Sequence, residues 1–277
     1  MSLYVASLNS GSNGNCYYIG NEQEAVLIDA GISCKETEKR MDRLNLSMNK
    51  VKAIFISHEH IDHVKGLQTI SRKYQLPVYI TEKTRSASGI GLQQDLICTF
   101  KKNESINIGE LSITAFPKFH DAEDPHSFTI NNNRVKIGVF TDIGKVCKDV
   151  IKHFKQCHAV FLESNYDEHM LMNGSYPIHL QKRISDGNGH LSNMQALELF
   201  RIHRPQFMSH LFLSHLSHNN NSPEIVNNLF SKYALKTNIS IASREKEGPL
   251  YFINDIAVQP HQKRKLSKDK PLQLSLF

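Results

Sequence analysis

No run of eighteen or more apolar residues occurs in the 277-residue sequence, which leaves no candidate for a membrane-spanning helix. The opening, Met1-Ser-Leu-Tyr-Val-Ala-Ser-Leu8, lacks a basic segment ahead of an apolar one, so it predicts a first strand instead of an export signal. Cysteine is scarce: Cys16, Cys34, Cys98, Cys147 and Cys157 are odd in number, scattered, and form no Cys-x-x-Cys pair. That pattern predicts reduced, buried thiols in a cytoplasmic protein and gives no support to a cysteine-built zinc site. There is no short-period repeat, and no low-complexity segment before residue 260. Excess charge is also missing from most of the chain. Residues 261–277 hold five Lys and Arg against Asp269, so four of the six net positive charges sit there and the remainder is nearly neutral. The basic balance therefore describes the tail more than the surface of the body.

Hydrophobic residues make up 40% of the sequence, enough for one core. Short β-like runs at 3–8, 16–19 and 25–29 are separated by Gly, Asn and Ser turns. Further strands are expected at 51–57, 78–80, 111–116, 127–130, 135–140, 159–162, 207–213, 239–243 and 250–253. Ser33-Cys-Lys-Glu36 and Ser192-Asn-Met-Gln195 have the spacing of capping boxes, predicting helices to about residues 44 and 202. Residues 177–185 are expected to be helical, and Ser222-Pro223-Glu224 predicts a helix with Pro at its first position. From Pro260 apolar residues nearly vanish until the last six, which predicts a basic disordered tail over 260–277 behind a folded domain over 1–259.

One segment carries chemistry more plainly than any other. Ser57-His58-Glu59-His60-Ile61-Asp62-His63 places three imidazoles and a carboxylate within six consecutive positions, directly after the apolar run 51–56. Val64, Leu67, Ile70 and Tyr74 follow at roughly helical spacing. His58 and His60, two apart in extended backbone, point to one side and can share an ion. Asp62 and His63, where the chain turns into the helix, can face a second ion beside the first. A rigid strand emptying into such a loop suits metal binding.

This pattern resembles the signature of the metallo-β-lactamase superfamily. The segments Leu8–Asn15, His120-Asp121-Ala122, Thr141-Asp142, Glu163-Ser-Asn165-Tyr-Asp167, Gly189-His190-Leu-Ser-Asn193 and Leu213-Ser-His215-Leu-Ser extend the resemblance to its YycJ/WalJ branch, regarded as bacterial DNA exonucleases acting from 5′ ends. The resemblance implies an α/β (α+β) four-layer αββα sandwich in a single domain. It implies two divalent ions, Zn²⁺, Mn²⁺ or Fe²⁺, between which the residue types do not choose. One would be held by His58, His60 and His120, the other by Asp62, His63 and His215, with Asp142 bridging both. Taken singly, Asp142 could equally cap a helix, His215 could be a structural histidine, and His126 could compete with His120. His210 and His218 flank His215; regular β geometry turns His210 the opposite way, and His218 is expected to be exposed.

Two such ions with five imidazoles and two carboxylates leave two positive charges. A water bridging the pair then loses its proton readily, and the hydroxide attacks a phosphodiester in line. His190, in a glycine-rich run just before Ser192, is the candidate general acid by resemblance to ribonuclease Z-like enzymes, and Asp62 the carboxylate expected to act with it. Asp29 is expected to orient a metal-bound histidine. Ser10, Ser12, Asn13 and Asn15 can offer phosphate contacts at the mouth, as can Asn165 and Asn219, although turn chemistry explains them equally well. Histidines 153, 158, 169, 179 and 203 are expected on the surface.

The last five residues, Gln273-Leu274-Ser275-Leu276-Phe277, resemble the pentapeptide by which bacterial DNA enzymes bind the replication sliding clamp. Leu274, Leu276 and Phe277 suit an apolar pocket and Gln273 gives polar specificity. The implied function is a dinuclear metal-dependent 5′-to-3′ DNA exonuclease of replication or repair. An RNA-processing or small cyclic-phosphodiester hydrolase, or a thioester or lactone hydrolase, of the same fold is the alternative. Against the first stand the 73 positions between Asp142 and His215, too few for the inserted domain of β-CASP nucleases. A non-catalytic clamp- or DNA-binding module would be expected to have lost some of the seven ligand positions, and all are filled.

Overall fold

Along the first strand, β1 (Leu3–Asn9), Leu3 and Val5 face one way, Ala6 and Leu8 the other, and all four are fully buried. A strand apolar on both faces must be covered on both. The same doubling recurs in β4 (Val51–Phe55) and in β11 (Ala159–Glu163). The computed structural model, which describes residues 2–255, meets that demand with two sheets packed face to face and helices on their outer sides.

The first sheet comprises β1, β2 (Cys16–Gly20), β3 (Ala25–Ile28), β4, β5 (Val78–Tyr79) and β6 (Ile97–Cys98) in sequence order. The second begins with β7 (Ser105–Ile108), β8 (Leu111–Pro117), β9 (His126–Asn131) and β10 (Lys136–Phe140), continues through β11 to β12 (His210–Ser214), and ends on β13 (Asn238–Ile241). The chain then returns, and β14 (Tyr251–Ile253) pairs antiparallel with β1, Leu3 opposite Ile253. Between the sheets lie Val5, Tyr17, Ile28, Phe55, Phe128, Phe161 and Phe212, with Phe161 stacked on Phe212 at 4.5 Å.

Outside the first sheet, α1 (Cys34–Arg43) contributes Met41, and α2 (Ile61–Val64) and α3 (Leu67–Tyr74) contribute Val64, Leu67 and Ile70, to a second apolar cluster. Short α4 (Glu82–Ser88) lies on the same half of the chain. Outside the second sheet, α5 (Lys148–Phe154), α8 (Asn193–His203) and α9 (Pro223–Ser231) bury Phe154, Phe200 and Phe230 against Phe116, Phe140 and Leu162. Between α5 and α8 come α6 (Glu168–Asn173) and α7 (Ile178–Ser185). The αββα order expected from the sequence is the order observed.

Helix starts follow their caps. Ser192 and Gln195 form a reciprocal capping box at α8, and Ser222 caps α9 with Pro223 in its first turn. Ser33 caps α1 through Glu36 N, but the Glu36 carboxylate is taken by Arg40 Nε at 2.7 Å, so that box is only half made. The strand expected at 207–213 begins at His210, because Met208 N closes a turn onto the Pro205 carbonyl. Helices α4, α5 and α6 span seven, seven and six residues and had no sequence expectation, being too short to show a period.

His153 is a correction. It was expected on the surface, yet it is buried and stacks on Phe116 at 4.1 Å with the rings 7° apart, because it shares the inner side of α5 with Val150 and Phe154. Cysteines 16, 34 and 157 are buried and unpaired as expected, whereas Cys98 and Cys147 are only half-buried. Among the described residues no helix is long and apolar enough to cross a membrane. The predicted tail and its peptide 273–277 lie outside the described residues.

Candidate metal centre

Strands β3 and β4 run parallel, and so do β10, β11 and β12, so their carboxyl ends meet along one edge of the sandwich. Asp29 follows β3, the His58–His63 loop follows β4, Asp142 follows β10, Glu163 ends β11, and His215 follows β12. Asp29, Asp142 and His215 all adopt left-handed backbone, with φ of 61°, 55° and 55°. Such a conformation costs an L-residue about 1–2 kcal/mol, and Asp, Asn and His bear it best. Here it turns each side chain off its strand and into the shared edge.

The imidazoles meet closely. His60 Nδ1 lies 3.1 Å from His58 Nε2 and 3.3 Å from His120 Nε2. Two nitrogens each about 2.0–2.1 Å from one tetrahedral ion lie about 3.3 Å apart, so these three fit a common cation. A second group forms where Asp62 Oδ2 lies 3.5 Å from His63 Nε2 and 3.6 Å from His215 Nε2. Asp142 stands between them, Oδ2 at 3.3 Å from His63 Nε2 and Oδ1 at 4.0 Å from His120 Nε2. Asp142 Oδ2 and His215 Nε2 are buried without a hydrogen-bond partner. Buried, unpartnered donor atoms turned into an imidazole–carboxylate cluster fit a divalent cation. The seven residues expected to act as ligands are thus brought together, and His126 is not among them: its ring packs on Phe100 and its Nδ1 on the Asp124 carbonyl.

Behind four of the five rings, all but that of His60, a protein oxygen lies against the nitrogen turned away from the cluster. Ser57 Oγ donates to Asp29 Oδ2 (2.9 Å) and sits 2.9 Å from His58 Nδ1, while Asp29 Oδ2 is 2.7 Å from His63 Nδ1. His120 Nδ1 lies 2.9 Å from the Gly189 carbonyl. Only glycine fits there, because a Cβ on Gly189 would come within 2.3 Å of the Arg183 and Ile184 carbonyls. Asp29 thus lies against His63, one of the expected ligands.

Glu163 has a role that the sequence reading left unassigned. Fully buried, it accepts from Ile143 N (2.7 Å) and Leu191 N (3.2 Å). Its Oε1 lies 2.7 Å from His190 Nδ1 and 3.0 Å from His215 Nδ1. An ionisable side chain ending an otherwise apolar parallel strand was the signal available. Lys118 was likewise missed; its buried ammonium donates to the Thr141 carbonyl at 2.7 Å and steadies the turn that carries Asp142.

The electrostatics are those of a concentrated anion. Burial alone would lower His63, but the carboxylates of Asp142, Asp29 and Asp62 hold it well above the usual histidine range. His215, similarly opposed by burial, is raised to about 10 by Asp142, Asp62 and Glu163. Glu163 is held at about 2 against burial by His190 and His215. His58 and His120 are lowered by burial, with Lys118 acting in the same direction, the latter to about 4.

Above the cluster opens a cavity of about 230 Å³ lined by Ser12, Asn165, Tyr176, Arg183 and His190 among others. His190 keeps Nδ1 on Glu163, which leaves Nε2 for the cavity. Two of the expected phosphate contacts are corrected. Ser10 is buried between Tyr17 Oη (2.7 Å) and His215 N (2.8 Å), and Asn15 is buried with Nδ2 3.2 Å from Asp62 Oδ2 and 3.0 Å from His63 Nε2. Both serve the centre from within. Ser12 does line the cavity, while Asn13 donates to the Arg244 carbonyl at 2.8 Å. Asn165 lines it too but donates to the His215 carbonyl at 2.9 Å, and exposed Asn219 donates to Tyr176 Oη at 3.1 Å. His210, at the far end of β12, stacks on Phe212, and His218 is exposed.

Comparison with known proteins agrees with this fold. The family model for the beta-lactamase superfamily domain matches residues 24–215. Exodeoxyribonuclease YycJ of Bacillus anthracis is 36% identical over 230 residues, covering 81% of this chain and 86% of the relative. Exodeoxyribonuclease WalJ of Streptococcus pneumoniae is 30% identical, covering 79% and 83%. Among solved structures, the metallo-beta-lactamase fold protein YhfI from Bacillus subtilis aligns with a TM-score of 0.69 at 15% identity, over 91% of this chain and all of that one. Zn²⁺-bound PqqB from Methylobacterium extorquens aligns at 0.67 and 12% identity, over 88% and 99%.

Proposed function

This chain belongs to the beta-lactamase superfamily and is a metal-dependent hydrolase, and on that premise we propose that it cuts DNA phosphodiester bonds, removing nucleotides from 5′ ends. One cation would be held by His58, His60 and His120 and a second by Asp62, His63 and His215, with Asp142 placed between the two groups. The observation that carries the reading is the convergence of these seven donors on one space, with Asp142 Oδ2 and His215 Nε2 buried and unpartnered, in a chain 36% identical to an exodeoxyribonuclease.

Divalent cations bound there, Zn²⁺ or Mn²⁺ foremost, would polarise a phosphoryl oxygen and lower the pKa of a water. The rest of the chemistry belongs to the chain. Asp29, Ser57, Gly189 and Glu163 hold the ligand rings in their tautomers. Asp62, reached by Asn15 Nδ2, is placed to accept a hydrogen bond from an attacking water. His190, fixed through Nδ1 by Glu163, offers Nε2 to the cavity and passes a proton to the departing sugar oxygen.

Digestion of 5′- and 3′-labelled DNA and RNA with Mn²⁺ or Zn²⁺ tests the reading. Early release of the 5′ label from DNA is expected; release from 3′ ends alone, or activity confined to RNA, would overturn it. The peptide Gln273-Leu274-Ser275-Leu276-Phe277 would tether such an enzyme to the sliding clamp in the cytoplasm during replication or repair, a reading that rests on sequence resemblance. Clamp binding that survives removal of 273–277 would reject it.

A further inference from the structure

Beside the metal centre lies a second cavity of about 350 Å³, sharing Leu216 and Ser217 with the first. Leu216, Pro223, Ile241 and Ala242 give it apolar walls, and Arg244 lines it. Most arginines of the described chain are committed: Arg40 to Glu36, Arg43 to Glu247, Arg85 to Glu82, Arg183 to Asp121, and Arg204 to the Tyr233 and Ala234 carbonyls. Half-buried Arg244 differs. Its guanidinium has no carboxylate within 4 Å and donates to no acceptor among the described residues, and its Nη1 is shielded from solvent. Neighbouring Glu245, the acid on that wall, does not pair with it: its amide is turned onto Ser243 Oγ and its carbonyl onto Arg40. A guanidinium taken partly out of water without an acceptor favours an anionic ligand, which it can grip with two parallel bonds.

The backbone of Arg244 is held against the loop that serves the donor cluster. Asn13 Nδ2 holds its carbonyl at 2.8 Å, Ser10 N donates to the Ser243 carbonyl at 3.1 Å, and a Cβ on Gly11 would press on Arg244 Cβ at 3.2 Å. The same loop supplies Asn15 to Asp62 and His63. Apolar walls beside one uncommitted cation match a nucleotide, whose sugar and base are largely apolar on their faces and whose phosphate is anionic. We infer that this side cavity is a nucleotide subsite in which Arg244 receives the phosphate next to the scissile one.

The inference rests on the DNA-cleaving reading above. It is tested by comparing the metal-loaded wild type with R244Q on DNA and on the p-nitrophenyl ester of thymidine 5′-monophosphate, which has a cleavable diester and no neighbouring phosphate. The ratio of kcat/KM on DNA to that on the ester is expected to fall by about 10–100-fold in R244Q, the loss that follows from removing a charged hydrogen bond. A ratio that stays constant, whether both activities fall or neither does, would overturn the subsite. Strands with 5′-phosphate or 5′-hydroxyl ends separate the two sources: a loss confined to the former assigns Arg244 to a terminal phosphate, and a loss on both to an internal one. Should the wild type cleave no DNA, the dinucleotide pTpT titrated into both proteins still decides the matter. Binding at least about 10-fold weaker to R244Q supports the subsite, and equal binding rejects it.

Discussion

The two halves of the sandwich supply the metal centre in different ways. From the first sheet come four donors within six consecutive residues, His58, His60, Asp62 and His63, on one loop after β4. From the second come His120, Asp142 and His215, each from a different strand end, with Glu163 and His190 behind them. The compact group needs little beyond its own loop and Asp29. The dispersed group depends on register between parallel strands and on residues held in left-handed backbone. Contiguity makes a site readable; dispersal lets one residue, Asp142, serve both groups.

That contrast can be broken experimentally. Asp142→Asn should lower kcat/KM on DNA by at least about 10³-fold and deplete both cations, read by metal analysis of the purified protein. Retention of one full equivalent would show that Asp142 serves a single site. Next in size come the outer partners, where changes typically cost about 10–100-fold in activity or metal affinity. Glu163→Gln should approach the upper end, because it supports His190 and His215 together, and Asp29→Asn the lower; the reverse order would place the weight of the centre in the first half.

Helix caps sharpen the comparison in stability. Ser192→Ala removes a complete capping box in the second half and should cost about 1 kcal/mol in urea unfolding. Ser33→Ala, whose box is half made because Arg40 holds Glu36, should cost less. Equal losses would mean that the Gln195 half contributes nothing. Smallest at neutral pH is the effect of His153. Burial lowers it to about 4, with Lys136 and Lys152 acting in the same direction. Between about 6.5, where the unfolded ring titrates, and 4 the unfolded state binds the extra proton, so stability falls as pH falls through that window and is unaffected above it. His153→Phe should flatten this part of the profile of unfolding midpoint against pH; an unchanged slope would assign the acid sensitivity elsewhere.

Legibility followed the same division. His58–His63 could be read directly because its residues sit together after an apolar run, and the layers were expected from the resemblance that this segment carries. An orienting role for Asp29 was implied by the resemblance, and its contact with His63 could be seen only in the structure. Glu163 went unassigned although it ends an apolar run, because that signal alone does not tell a buried acceptor from a solvated strand end. Ser10 and Asn15 were misplaced for a related reason. A polar turn reads as exposed until the second sheet closes over it, and here the backbone of His215 and the side chain of Asp62 bury it. His153 belongs to the same group of errors, since a seven-residue helix shows no face until Phe116 lies against it.

By itself the sequence settled which residues alternate, where helices are capped and which loop concentrates imidazoles, because each depends on neighbours a few positions apart. Tertiary structure alone decided that Glu163 stands behind two histidines, that Ser10 and Asn15 are buried at the centre, and that Arg244 reaches a cavity beside it. Those relations join residues tens to hundreds of positions apart, and only strand register, sheet packing and the left-handed turns at the strand ends fix the distances between them.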